Sequence, residues 1–188
     1  MASRLLLIRG LPGSGKTHLA NALSNNDIDP KGFMAQQPNF SHIENYTPTP
    51  HDVSPKIPIA LSQSFYTART IAADDYFGHD DDYDFRPDEL PQAHKQCLKT
   101  TENRLLSRRP CIVHNTFSQQ WEIKPYIDLY EKLKTLDESE TNEGSFRNPK
   151  MWIIDLYDNG YSDEELFERN IHGVPLETIA KMRERWEK

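Results

Sequence analysis

Apolar residues fall into four short runs separated by stretches with helical spacing. Arg4-Leu5-Leu6-Leu7-Ile8-Arg9 stops at a glycine and has the pattern of a strand buried on both faces of a parallel sheet. After it, Leu19, Ala20, Ala22 and Leu23 recur at helical spacing from Thr17, and Ser24-Asn25-Asn26-Asp27 ends that helix. Arg69-Thr70-Ile71-Ala72-Ala73 predicts a second strand that runs into Asp74-Asp75-Tyr76-Phe77. Pro87 suits the first position of a helix reaching about Arg108, with Leu90, Ala93, Cys97, Leu98, Leu105 and Leu106 on its inner face. Cys111-Ile112-Val113 predicts a third strand, ending in His114-Asn115-Thr116, and a helix follows from about Gln119 to Leu136. Met151 to Asp155 predicts the fourth strand. Ser162-Asp163-Glu164-Glu165 is a capping box that starts a helix ending near Asn170, and a last helix runs from Pro175 to near Trp186. Strands alternating with helices predict an α/β fold, a central parallel sheet with helices on both faces joined by right-handed crossovers.

Two segments break the alternation. Residues 25–67 hold six of the 13 prolines and no sustained period, which predicts one long irregular Pro-rich insertion. It reads as a surface loop or as a lid over a substrate, and Phe33, Phe40, Tyr46, Phe65 and Tyr66 are the aromatics a lid would use. Residues 137–148 predict a polar loop. Two N-x-[ST] matches, at Asn39 and Asn45, carry no weight without a secretion signal.

Composition narrows the class. The 188 residues suit a single domain, 1–188, able to build a core without disulfide or metal staples. Mean hydropathy is −0.77 and the run near the start is far shorter than a membrane span or a signal peptide's core, so the expectation is a cytoplasmic protein with no membrane partner. Cys97 and Cys111 stand apart from any CxxC or histidine cluster and read as ordinary thiols. The net charge of −7 argues against broad attraction to duplex nucleic acid. Arg104, Arg108, Arg109, Arg183 and Arg185 are the residues that could compose a local basic surface against the acidic stretch from Asp80 to Glu89.

The chemistry begins at Gly10-Leu11-Pro12-Gly13-Ser14-Gly15-Lys16-Thr17, a full G-x-x-x-x-G-K-[ST] match between a predicted strand and a predicted helix. The glycines let consecutive N–H groups aim at a β-phosphate, and the helix N-terminus adds its partial positive charge. Lys16 bridges β- and γ-phosphates in such a loop, and Thr17 places its hydroxyl on Mg²⁺. ATP and Mg²⁺ are the expected cofactors. A phosphate loop alone leaves a kinase, an ATPase motor or switch, and a nucleotide-gated binding module open. A motor needs an acid after a buried strand and a group that orients water. Asp155 offers the first, but Leu156 follows it where a second carboxylate would stand, so Asp155 reads as a strand-end residue. Asp74-Asp75, at the carboxyl end of the second strand, lie on the edge where open α/β sheets bind ligands, and one can act as general base toward an attacking hydroxyl. Arg169-Asn170-Ile171-His172-Gly173-Val174-Pro175 joins the last two helices. In it Arg169 can close over phosphates or cap its helix, and His172 can meet a ligand or solvent.

These motifs together resemble the polynucleotide-kinase-like P-loop proteins, most closely the group related to Nedd-four-binding-protein-two-like proteins. The resemblance rests on Ile8 to Thr17, Ala73 to Phe77, Tyr83 to His94, Asn115 to Phe117, Trp121 to Tyr126 and Glu168 to Glu187. It implies a P-loop kinase fold with a helical lid over 168–187. The implied activity is ATP-dependent transfer of the γ-phosphate to a hydroxyl of a nucleic acid or nucleoside, most simply a polynucleotide 5′-hydroxyl. Asp74 takes the general-base role and Arg169 assists transfer, while Asp75, Asn115, Thr116 and His172 are candidate substrate or lid contacts. The chain departs from the pattern at Phe77, where those kinases carry arginine, and at His114, where the relatives carry aspartate. The alternatives are a kinase acting on a hydroxylated modified base in DNA, or a nucleotide-dependent binding module that recruits a protein partner through residues 25–67.

Overall fold

In a computed structural model, residues 3–26, 44–46, 63–78, 82–139 and 149–187 are described. The elements that frame the site run, in chain order, β1 (Arg4–Arg9), α1 (Lys16–Asn25), β2 (Glu44–Tyr46), β3 (Arg69–Ile71), α2 (Leu90–Leu106), β4 (Cys111–Asn115), α3 (Gln120–Ser139), β5 (Lys150–Asp155), α4 (Asp163–Arg169) and α5 (Leu176–Glu184). The sheet order is β2-β5-β1-β4-β3. The four strands read from the apolar runs pair in parallel, with Leu5 opposite Cys111 on one side and Met151 on the other.

β1 lies in the middle, and its burial on both sides explains why it is apolar at consecutive positions. Leu5 and Leu7 face a core built with α2 and α3, among Cys97, Leu105, Ile123, Tyr126 and Leu129. Leu6 and Ile8 face the opposite core with Leu19, Ala20 and Leu23 of α1. All four are at most 1% exposed, so each contributes on the order of 2 kcal/mol of burial. A third cluster of Leu11, Leu166 and Ile179, backed by Tyr157, Tyr161, Val174, Met182 and Trp186, fastens α4 and α5 to the turn after β1.

The structure differs from the sequence reading at several points. The insertion is not wholly irregular: Glu44–Tyr46 pairs antiparallel with β5 as an edge strand, and three residues are too few to display a period. Phe65, counted above among possible lid aromatics, is a core residue with no exposure, edge-on to Trp152 at 5.5 Å. The second strand ends at Ile71 rather than Ala73. There the Asp75 carboxylate accepts the Ala72 N–H and the Asn115 amide oxygen accepts the Ala73 N–H, so side chains replace the ladder. The rest of 25–67 falls largely outside the described residues, as do 140–148 of the polar loop, while α3 runs on to Ser139. Pro87 opens a short 3-10 turn, and the α-helix proper starts at Leu90.

Candidate nucleotide-binding site

The turn from β1 to α1 is shaped by its glycines. Gly13 and Gly15 have φ of 79° and 96°, left-handed conformations that L-residues with a Cβ rarely adopt. A Cβ on Gly13 would overlap the Leu166 carbonyl, and one on Gly10 would press on Ser14, Leu156 and the Tyr157 carbonyl. The loop is anchored by Gly10 N–H to the Thr116 carbonyl, Leu11 N–H to the Tyr157 carbonyl and the Asn159 amide to the Ser14 carbonyl. Ser14 Oγ is buried with no hydrogen-bond partner among the described residues. This is a rigid cradle with backbone donors at the start of a helix, and it fits a nucleotide's phosphates. Pro12 is buried and Thr17 is exposed in the first turn of α1, where its hydroxyl can reach a metal.

Lys16 donates from Nζ to the Leu11 carbonyl at 2.9 Å, folding back over the loop. Desolvation lowers its pKa from 10.5 to about 8, and the Asp74 carboxylate works against that fall. A phosphate would therefore meet a poorly solvated ammonium with a neutral partner, a favourable exchange. Among the described residues no group of three or more His, Cys, Asp or Glu can hold a metal ion. A Mg²⁺ here would rest on Thr17 together with phosphate oxygens, the usual mode for this ion.

Asp74 and Asp75 open the 3-10 turn Asp74–Phe77 at the end of β3. Asp74 is half-exposed and faces Lys16 and His172, whereas Asp75 is tied to the Ala72 N–H. His172 brings Nε2 within 3.9 Å of Asp74 Oδ2 and lays its ring against Tyr83, centroids 4.9 Å apart. Arg169, at the end of α4, donates from Nε to the Gly13 carbonyl at 3.1 Å, and its guanidinium lies 4.1 Å from the centre of the Tyr161 ring. The segment between the helices is braced by Asn170, which donates to the Val174 carbonyl and accepts the His172 N–H. Lys16, Asp74, Arg169 and His172 thus come together from three distant parts of the chain.

Other expected contacts sit elsewhere. Asn115 is 5% exposed, with Oδ1 on the Ala73 N–H and Nδ2 donating to Cys97 Sγ at 3.5 Å, so its amide supports the Asp74 turn from beneath. The Tyr126 hydroxyl donates to the same sulfur at 3.2 Å. Burial raises the Cys97 pKa, and its thiol is a hydrogen-bonding core residue. Thr116 meets the phosphate loop through its carbonyl. Asp155 pairs with Arg9 at 3.6 Å and accepts the Tyr157 N–H, the strand-end role expected of it. Phe77 is buried against Tyr76, Tyr83 and Phe85.

The five arginines do not form one surface. Arg104 reaches the Pro110 carbonyl just before β4, so Arg104, Arg108 and Arg109 cluster at the amino end of the parallel strands, opposite the phosphate loop. Arg183 is held by Asp158, Asp163 and the Tyr161 carbonyl, and Arg185 by Ser118. His114 is a site residue that sequence reasoning undervalued. It is the next-to-last residue of β4, with 8% exposure, and burial lowers its pKa to about 4, with Asp75 opposing and Lys16 and His172 reinforcing.

A parallel α/β sheet whose first strand leads through a glycine cradle and a lysine into a helix defines a P-loop nucleotide-binding protein. The sequence profile of the AAA domain family (AAA_33) matches residues 5–138, and the chain belongs to that family. It is also 29% identical over 185 residues to NEDD4-binding protein 2 of Homo sapiens, an alignment covering 98% of this chain. The chain spans 8% of that relative's length. No helix among the described residues is long and apolar enough to cross a membrane.

Proposed function

We propose that the protein is an ATP-dependent kinase that transfers the γ-phosphate to a hydroxyl of a nucleic acid or nucleoside. The observation that carries this reading is the convergence on one phosphate loop of an ammonium, Lys16, a carboxylate, Asp74, and a guanidinium, Arg169, from separate segments. A cation pair on the donor and a half-exposed carboxylate beside it are the parts that in-line phosphoryl transfer uses.

Asp74 accepts the proton of the acceptor hydroxyl as its oxygen attacks, and Asp75, bonded to the Ala72 amide, fixes the turn that aims it. Lys16 leaves the Leu11 carbonyl for phosphate oxygens, and Arg169 leaves the Gly13 carbonyl to neutralise charge that builds up during transfer. Bound Mg²⁺ supplies further charge neutralisation on the phosphates, with Thr17 as its protein contact.

The test is transfer of γ-labelled phosphate from Mg-ATP to 5′-hydroxyl RNA, 5′-hydroxyl DNA, hydroxymethylated DNA and nucleosides. Asp74→Asn should lower turnover by about 10²–10⁴-fold while ATP still binds, and Lys16→Ala should lose both. Equal loss of binding and turnover in Asp74→Asn would remove the base role. A nucleotide-gated binding module is the competing reading, drawn from the human relative's name as a binding protein. It requires ATP to bind with no acceptor labelled.

A further inference from the structure

The residues opposite the phosphate loop are aromatic and acidic rather than basic. The Tyr83 ring is backed by the buried Phe77, at 6.4 Å, which also packs on Phe85 at 5.1 Å and Tyr76 at 5.2 Å. This ladder holds Tyr83 by an edge contact at 75°, and the Tyr83 ring also meets the His172 ring, tilted by 39°. The same histidine points Nε2 at Asp74 Oδ2. His172 therefore occupies the position that a planar ring would take if it stacked on Tyr83 and carried a polar group to the carboxylate. On the reading that Asp74 is the base, we propose that Tyr83 is the stacking floor of the acceptor pocket. The acceptor is then an uncharged nucleoside, whose base replaces His172 on the Tyr83 ring as its hydroxyl reaches Asp74.

Three further observations fit this assignment. First, the segment carrying His172 has room to move: Gly173 has φ of 66° with open space where a Cβ would stand, and Ile171 is 83% exposed. Second, charge disfavours a phosphodiester. Asp74 is the charged group that acts on the Tyr83 ring, Arg86 is held by Asp84 and Glu89, and Arg104, Arg108 and Arg109 lie at the opposite edge of the sheet. A phosphodiester beside Asp74 would meet repulsion, and the cations gathered there, Lys16 and Arg169, are engaged by the donor phosphates in this reading, whereas base–aromatic stacking is indifferent to charge and tolerant of sequence. Third, desolvation and Asp74 raise the Tyr83 pKa to about 12, so its ring stays neutral throughout the physiological range.

The experiment measures phosphate transfer from labelled Mg-ATP to adenosine, to cytidine, to ribose and to a 5′-hydroxyl oligonucleotide, at low and high salt. Nucleosides should be labelled with a salt-insensitive KM, and ribose, which has no base to stack, should be a poor acceptor. Tyr83→Leu should raise the nucleoside KM about 10- to 100-fold, Tyr83→Trp should restore it, and ATP affinity should not move in either. His172→Ala should lower the nucleoside KM by removing the competing ring. Equal labelling of ribose, an unchanged nucleoside KM in Tyr83→Leu, or an oligonucleotide KM far lower and steeply salt-dependent would each overturn the proposal. If no acceptor gains label, the kinase reading fails, and the pocket is read separately by saturation-transfer NMR with adenosine. A signal lost in Tyr83→Leu and kept in Tyr83→Phe supports the stacking floor, and no signal in the wild type overturns it.

Discussion

Acid should destabilise this protein through one buried imidazole. His114 is held neutral at the end of β4, with its pKa lowered from 6.5 to about 4 by burial. The unfolded chain takes up this proton near pH 6.5 and the folded chain only near pH 4, so between those values the unfolded state binds more protons. Stability therefore falls as pH drops through that window, and this residue changes nothing above it. The gap of about 2.5 pH units, at 1.36 kcal/mol each, comes to roughly 3 kcal/mol. That is a large part of the ~5–15 kcal/mol that holds a domain together. His114→Asn removes the titration and keeps a polar side chain. Urea unfolding at steps between pH 7 and pH 4 should show the wild type losing about 3 kcal/mol more than the variant, all of it below pH 6.5. Carboxylates titrate in both proteins, so the difference between the two curves carries the result. Parallel curves would refute the reasoning, since they would mean that His114 charges as readily folded as unfolded.

Three other outcomes are expected. ATP affinity should fall as pH rises through about 8, by up to tenfold per unit, because free Lys16 loses its proton there while phosphate holds it on; isothermal titration from pH 7 to pH 9.5 checks this, and a flat profile excludes Lys16 as a phosphate contact. Gly13→Ala should weaken ATP binding tenfold or more, because the left-handed backbone costs about 1–2 kcal/mol before the overlap with the Leu166 carbonyl is counted. Gly173→Ala, where space is open, should leave ATP binding unchanged, and fluorescence titration of the pair separates strain from collision. Asn115→Leu should cost about 1–3 kcal/mol by orphaning the Ala73 N–H and should lower turnover through the displaced Asp74 turn, with Asn115→Asp recovering part of both; thermal melts alongside the transfer assay test it.

Elements were readable where a local pattern and a tertiary demand coincide. β1 is apolar at every position from Leu5 to Ile8 because cores press on both its faces, and Ser162 with Glu165 forms the reciprocal cap that its spacing announces. Legibility failed where a residue's partner lies far along the chain. β3 stops two residues early because Asp75 and Asn115 take the next amides, and Asn115 comes from a strand about forty residues on. Phe65 sits in a Pro-rich stretch, and it is buried by residues far along the chain, Ile112, Ile154 and Trp152 among them.

The two halves of the site divide along the same line. The donor half is written in eight consecutive residues, because a phosphate is held by main-chain groups whose geometry is set by nearby glycines and by the helix that follows. Its lysine and glycines can be recognised without knowing anything else about the fold. The proposed acceptor half has no such economy: Asp74, Tyr83 and His172 belong to a strand-end turn, the loop before α2 and the segment between α4 and α5. No spacing rule connects them, and the arginines that composition offered as a substrate surface disperse to opposite ends of the sheet. Charge counted along a chain describes what the protein attracts only if the fold gathers it. Here the fold gathers rings beside a carboxylate instead, so the proposed acceptor is read from the three-dimensional neighbourhood of Asp74.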